Sequence, residues 1–154
     1  MYLDDQVKLV YLTSKKGKNF SNGTDFKTML HYKKENEHDK IVDYLGDIYQ
    51  LQALMAKMTK PMLTIAPGHA LNSAASLLAT SNMPAVCLNT KFAFNECSLG
   101  FVPHAGTTYV ASRLPGDFGT FLVLSGMPFT GQDAISLNIA DKVIKITETY
   151  EQEG

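Results

Sequence analysis

A chain of 154 residues with 45% apolar and 19% charged side chains has the balance of a globular domain, which excludes collagenous, low-complexity and disordered readings. A formal net charge of -1 argues against a general nucleic-acid-binding surface, and no apolar run reaches the roughly 18 residues that a membrane-spanning helix needs. Charge is uneven: residues 61–132 carry only Lys91, Glu96, Arg113 and Asp117, whereas residues 1–60 hold ten lysines and eight acids, so the middle stretch has to be covered.

The start, MYLDD, has neither a basic region before an apolar core nor an arginine-rich face, so no signal or transit peptide is expected. Residues 7–12 (VKLVYL) read as a buried strand, followed by a loop with Gly17, Asn22 and Gly23. Thr24 or Asp25 caps a short helix to about Tyr32, and the run KKENEHDK reads as a solvated linker. Ile41, Leu45, Ile48, Leu51 or Gln52, Met55 and Met58 recur every three to four residues. That spacing predicts a helix that Lys60-Pro61 ends.

Residues 61–66 (PMLTIA) predict a second buried strand, turning at Pro67-Gly68 into a helix capped by Asn72-Ser73 and reaching about Thr80. Residues 81–84 (SNMP) read as a breaker. Short strands are expected at 85–88 and 91–94, helices at 105–113 and 118–124, a helix at 131–137 capped by Thr130, and a last strand at 142–146 before a polar tail, 147–154. Strands alternating with helices argue for an α/β fold. Cys87 and Cys97 are too sparse for a disulfide scaffold or a zinc site and read as reduced thiols inside a cell.

The order of these parts resembles the crotonase superfamily of enoyl-CoA hydratases, isomerases and 3-hydroxyisobutyryl-CoA hydrolases. The run NFSNGTDFK at 19–27 is similar to the family's A-F-x-A-G-A/G-D-[ILF]-K segment. KPMLTIAPGHAL at 60–71 is similar to the start of K-P-x-x-A-x-x-G-x-A-x-G-G-G, and FAFNECSLGFVPHAG at 92–106 to F-x-x-P-E-x-x-x-G-[ILF]-x-P-[GD]-x-G. The likeness continues through LSG at 124–126, TGQDA at 130–134 and IADKV at 139–143, and SRLPGDFG at 112–119 resembles a turn of the hydrolase branch.

That resemblance implies a ββα spiral fold, here a partial one at 1–146, without the strands that precede Val7 and the helices that follow Ile146 in a complete domain. It also implies a coenzyme A thioester ligand, whose carbonyl oxygen would lie between the backbone N–H groups of Thr24 and Ser73. Backbone donors tolerate side-chain change, although Asn72-Ser73-Ala74 stands where the family carries three glycines. Ser76 stands where hydratases carry their first carboxylate, Glu96 keeps the second, and His104 replaces an Asp of the hydrolase branch. Imidazole titrates near neutrality, so His104 is a candidate base beside Glu96. No further cofactor is required.

Plainer readings stand beside these. Glu96 and His104 serve equally as a turn carboxylate and a loop histidine, Cys97 as a buried structural thiol, His69 as a packing residue, and Met55, Met58 and Met62 as core. Lys15, Lys16 and Lys18 are either solvated or face CoA phosphates or RNA. The substitutions and the shortness favour a non-catalytic subunit of a larger assembly, with a protein partner covering what is missing. Members of the hydrolase branch occur in the mitochondrial small ribosomal subunit, so the resemblance implies a mitochondrial setting and contact with ribosomal RNA. The alternative is an acyl-CoA hydrolase or hydratase, as half of a split enzyme.

Overall fold

The computed structural model describes residues 4–15 and 18–145. Lys16, Ile146 and the tail at 147–154 lie outside them. Strand β1 (Val10–Leu12) leads to α1 (Phe26–Lys34), where Asp25 accepts hydrogen bonds from Lys27 N–H at 3.0 Å and Thr28 N–H at 3.2 Å. The next helix, α2 (His38–Ala56), begins almost at once. The charged run expected to be a linker is thus mostly helical, because Lys33 and Lys34 suit the negative end of α1 and Asp39 the positive end of α2.

Strand β2 (Met62–Ala66) passes through Pro67-Gly68 into β3 (His69–Leu71) and α3 (Ser73–Ala79). Then come β4 (Met83–Cys87), β5 (Lys91–Ala93), a short 3-10 turn (Cys97–Leu99), α4 (Thr107–Ala111) and α5 (Phe118–Ser125). Strand β6 (Phe129–Thr130), α6 (Gly131–Ser136) and β7 (Lys142–Ile144) complete the order. Thr130 and Asp133 form a reciprocal capping box on α6.

Two differences from the sequence reading have clear causes. Met83 and Pro84 belong to β4 instead of breaking the chain. Pro84 O accepts from Asp141 N–H just before the β4–β7 ladder begins, so the proline's absent N–H, on the same side of the strand, interrupts nothing. Helix α4 is shorter than expected because Ala105 and Gly106 take positive φ of 47° and 85°.

The strands form two sheets. One is wholly parallel in the order β1-β2-β4-β7, and the other has the order β3-β5-β6, with the β5–β6 pair antiparallel. Gly68, at φ 58°, makes the handover between them, and a Cβ there would collide with the Lys18 carbonyl. Between the sheets and helices lie Ala66, Ala70, Ala75, Leu78, Val86, Phe92 and Phe94, all fully buried. Phe92 stacks on Phe129 with centroids 5.3 Å apart. The uncharged stretch is therefore the core, with part of α5 left open to solvent.

Candidate functional site

Two tight turns meet where the loop before α1 touches the end of β3. Gly23 has φ of 82°, and a Cβ there would lie 2.6 Å from Leu71 O and 3.0 Å from Ser73 Oγ, so only glycine fits. Asn72, at φ 53° and ψ -128°, holds a conformation that glycine adopts freely and other residues hold at roughly 1–3 kcal/mol of strain. Its Nδ2 donates to Asn22 O at 3.4 Å and its buried Oδ1 has no partner among the described residues, so the side chain does not cap α3.

These turns present two backbone donors. Ser73 is the first residue of α3, where an N–H has no carbonyl four residues back, and neither its N–H nor that of Thr24 meets an acceptor among the described residues. Both residues line one cleft of about 170 Å³, with Gly23, Tyr44, Gln52 and Leu77.

The side chains behind the donors form a chain of hydrogen bonds. Ser73 Oγ and Thr24 Oγ1 are 3.0 Å apart, and Thr24 Oγ1 lies 3.0 Å from His104 Nε2. Around the imidazole stand Phe101, Tyr49 and Phe26, with centroids at 5.1, 5.9 and 6.3 Å, each edge to face. Burial holds His104 below the usual histidine range, which favours the neutral ring, and Nδ1 has no hydrogen-bond partner among the described residues. Gln52 Nε2 donates to Ser73 O at 3.3 Å, and Thr80 Oγ1 donates to Gln52 Oε1 at 3.1 Å.

A second chain runs deeper. Glu96 is fully buried, and Thr107 Oγ1 donates to its Oε1 at 2.8 Å while standing 2.7 Å from Ser76 Oγ. Burial pushes the Glu96 carboxyl up toward its protonated form, against the opposing pull of its own backbone N–H and of Thr107. Ser76 thus reaches Glu96 through one threonine. No hydrogen bond joins Glu96 to His104 among the described residues, and neither side chain lines the cleft.

Thr107 and Gln52 escaped the sequence reading. Thr107 belongs to no periodic pattern. Gln52 had a signal, as a polar residue in an apolar stripe, and it is Gln52 and not Leu51 that is buried. His69, expected to pack, is exposed on β3, whereas Cys97 is half-buried against the core. Lys15 and Lys18 are exposed. A larger cleft of about 210 Å³ is lined by Pro67, Cys87, Leu88, Asn89, Ile144 and Lys145, and burial keeps its Cys87 in the thiol form. Among the described residues no three His, Cys, Asp or Glu side chains gather as a metal site, and no helix is long and apolar enough to cross a membrane.

A family model described as Enoyl-CoA hydratase/isomerase matches residues 1–153. The chain belongs to that family. Among its enoyl-CoA hydratase/isomerase relatives, "Probable 3-hydroxyisobutyryl-CoA hydrolase 3" of Arabidopsis thaliana is 31% identical over 144 residues, 94% of this chain and 38% of the relative. "Small ribosomal subunit protein mS47" of the same plant is 27% identical over 124 residues, 80% of this chain and 30% of the relative. An enoyl-CoA hydratase structure from Rhodobacter sphaeroides 2.4.1 superposes with a TM-score of 0.88 at 24% identity, covering 93% of this chain and 42% of that one. The two sheets are accordingly part of a crotonase fold, and the chain spans well under half the length of the curated relatives it matches.

Proposed function

We propose that this chain carries the acyl-thioester site of a coenzyme A thioester hydrolase, with the thioester oxygen held by the N–H groups of Thr24 and Ser73. The observation that carries the reading is that both N–H groups lack an acceptor among the described residues and belong to residues that line one cleft, on turns fixed by Gly23 and by the strained Asn72. Donors set in advance where negative charge develops are worth about 10²- to 10³-fold each in rate. Hydrolase relatives at 31% identity support the substrate class.

The test compares two uncleavable CoA analogues, one a ketone with CH2 in place of sulfur and the other lacking the carbonyl. The ketone is expected to bind at least ~10-fold more tightly, the equivalent of one good hydrogen bond. Equal affinity for the two would remove the oxyanion role.

A second reading, a structural subunit of a larger and mitochondrial assembly, is favoured by a different observation. Helix α5 is apolar on both sides: Leu122 and Val123 are buried, while Phe118, Phe121 and Leu124 are 54%, 47% and 68% exposed. Relatives named mS47 support an assembly role, and in a ribosomal setting Lys15, Lys16 and Lys18 would be the residues to face RNA. Native mass and affinity purification test it. A stable, monodisperse monomer of this chain would count against an obligate partner, for this reading and for a split enzyme alike.

A further inference from the structure

Resting on the thioester reading above, we infer that the Thr24 hydroxyl is the nucleophile that takes the acyl group from sulfur, with His104 Nε2 as its base. Four observations converge on this assignment. Thr24 Oγ1 and His104 Nε2 are within hydrogen-bond distance at 3.0 Å, the contact that activates a hydroxyl nucleophile. Thr24 is among the residues that line the cleft, beside Gly23 and Ser73. The free N–H of Thr24 belongs to the same residue as the hydroxyl, an economy that serine hydrolases also use when the nucleophile's own N–H serves the oxyanion hole. Glu96, the residue the family likeness points to, is fully buried and does not line the cleft.

The hydrogen-bond inventory is consistent with this polarity. A hydroxyl has one donor and two acceptor positions. When Ser73 Oγ–H donates to Thr24 Oγ1 and Thr24 donates to His104 Nε2, one lone pair of Thr24 stays free for attack. The imidazole then carries its proton on Nδ1. Edge contacts from Phe26, Tyr49 and Phe101 hold the ring in place of the carboxylate that orients the histidine in a triad.

The step balances as follows. Thr24 Oγ1 forms a bond to the thioester carbon as its proton passes to His104 Nε2, and the oxyanion rests on the Thr24 and Ser73 N–H groups. The C–S bond breaks, and His104 returns the proton to the departing thiolate, giving free coenzyme A and an acyl ester on Thr24. Water then attacks the ester, giving a proton to His104. The C–O bond breaks, and Thr24 recovers its hydrogen as the carboxylic acid leaves.

The experiment uses the full chain, with any subunit that co-purifies, and isobutyryl-CoA as the probe. Rapid acid quench followed by intact mass and peptide mapping is expected to find one isobutyryl group on Thr24. Thr24→Val, which keeps the backbone N–H, should abolish the adduct while the ketone analogue still binds more tightly than the analogue lacking the carbonyl. Thr24→Ser should restore the adduct, and His104→Gln should slow its formation by ~10²-fold, the usual share of a general base. Thioester turnover unchanged in Thr24→Val, an adduct on Ser73 alone, or ketone binding with no adduct in the natural chain would each overturn the nucleophile and leave the thioester reading standing. Failure of the ketone analogue to bind would overturn both.

Discussion

Two hydrogen-bond chains of three residues each start at a serine of α3 and end at a titratable group, and they differ in what they touch. Ser73–Thr24–His104 reaches a cleft lined by two residues whose N–H groups have no acceptor among the described residues, whereas Ser76–Thr107–Glu96 is wholly buried. Each leaves one polar atom of its titratable residue unpartnered among the described residues, Nδ1 of His104 and Oε2 of Glu96. The same pattern of hydroxyls thus lies once beside a cleft and once wholly inside the fold. The difference teaches that likeness to a family motif and a place at a cleft are separate things: Glu96 lies wholly inside the fold, while Thr24 lines the cleft.

The largest expected effect breaks the deep chain. Thr107→Val leaves the Glu96 carboxyl and the Ser76 hydroxyl without their donor and partner, and urea unfolding should show a loss of about 3 kcal/mol. A loss below about 1 kcal/mol would mean that water takes the threonine's place. His104→Gln tests the outer chain: thioester turnover is expected to fall ~10²-fold, about 2.7 kcal/mol in the barrier, with a much smaller change in unfolding free energy.

Asn72→Gly relieves the positive φ and should stabilise the protein by about 1 kcal/mol after allowing for glycine's greater freedom when unfolded, as a raised midpoint in thermal melts. Glu96→Gln sharpens the contrast from the other side. A carboxyl pushed toward its neutral form is mimicked by the amide, so turnover should stay within about 3-fold. A fall of two orders of magnitude would return the proton-transfer role to Glu96.

The smallest effect is in pH. His104 has a folded pKa below its unfolded value near 6.5, so its contribution to stability is present above that value and is lost as pH falls through the folded pKa. Of the three rings packed against it, Phe26, Tyr49 and Phe101, only Tyr49 carries an ionisable group. Urea titrations below pH 6.5 should therefore show a steeper acid loss in the natural chain than in His104→Gln.

The sequence made some parts legible because their cause is local. Helix α2 announced itself by spacing, α1 by a cap at Thr24 or Asp25 and α6 by Thr130, and residues 62–66 by a mostly apolar run. Strands β3 and β6 did not, since three and two residues carry no period and their partners are distant, as in His69 with Lys91. At the site, family likeness led to Thr24, Ser73, Glu96 and His104. It did not separate them into two chains, because that depends on Thr107 and on the aromatic wall of Phe26, Tyr49 and Phe101, which only the packing assembles.

The larger sheet has a consequence in time. Its neighbours are all parallel, so each pair joins segments far apart in the chain: Val10 registers with Met62, and Val86 with Val143. Such non-local ladders close late and slowly, since loop entropy has to be lost before any contact repays it. During synthesis the edge of β4 stays open until β7 emerges, and an unpaired strand edge is the place where a growing chain is prone to aggregate.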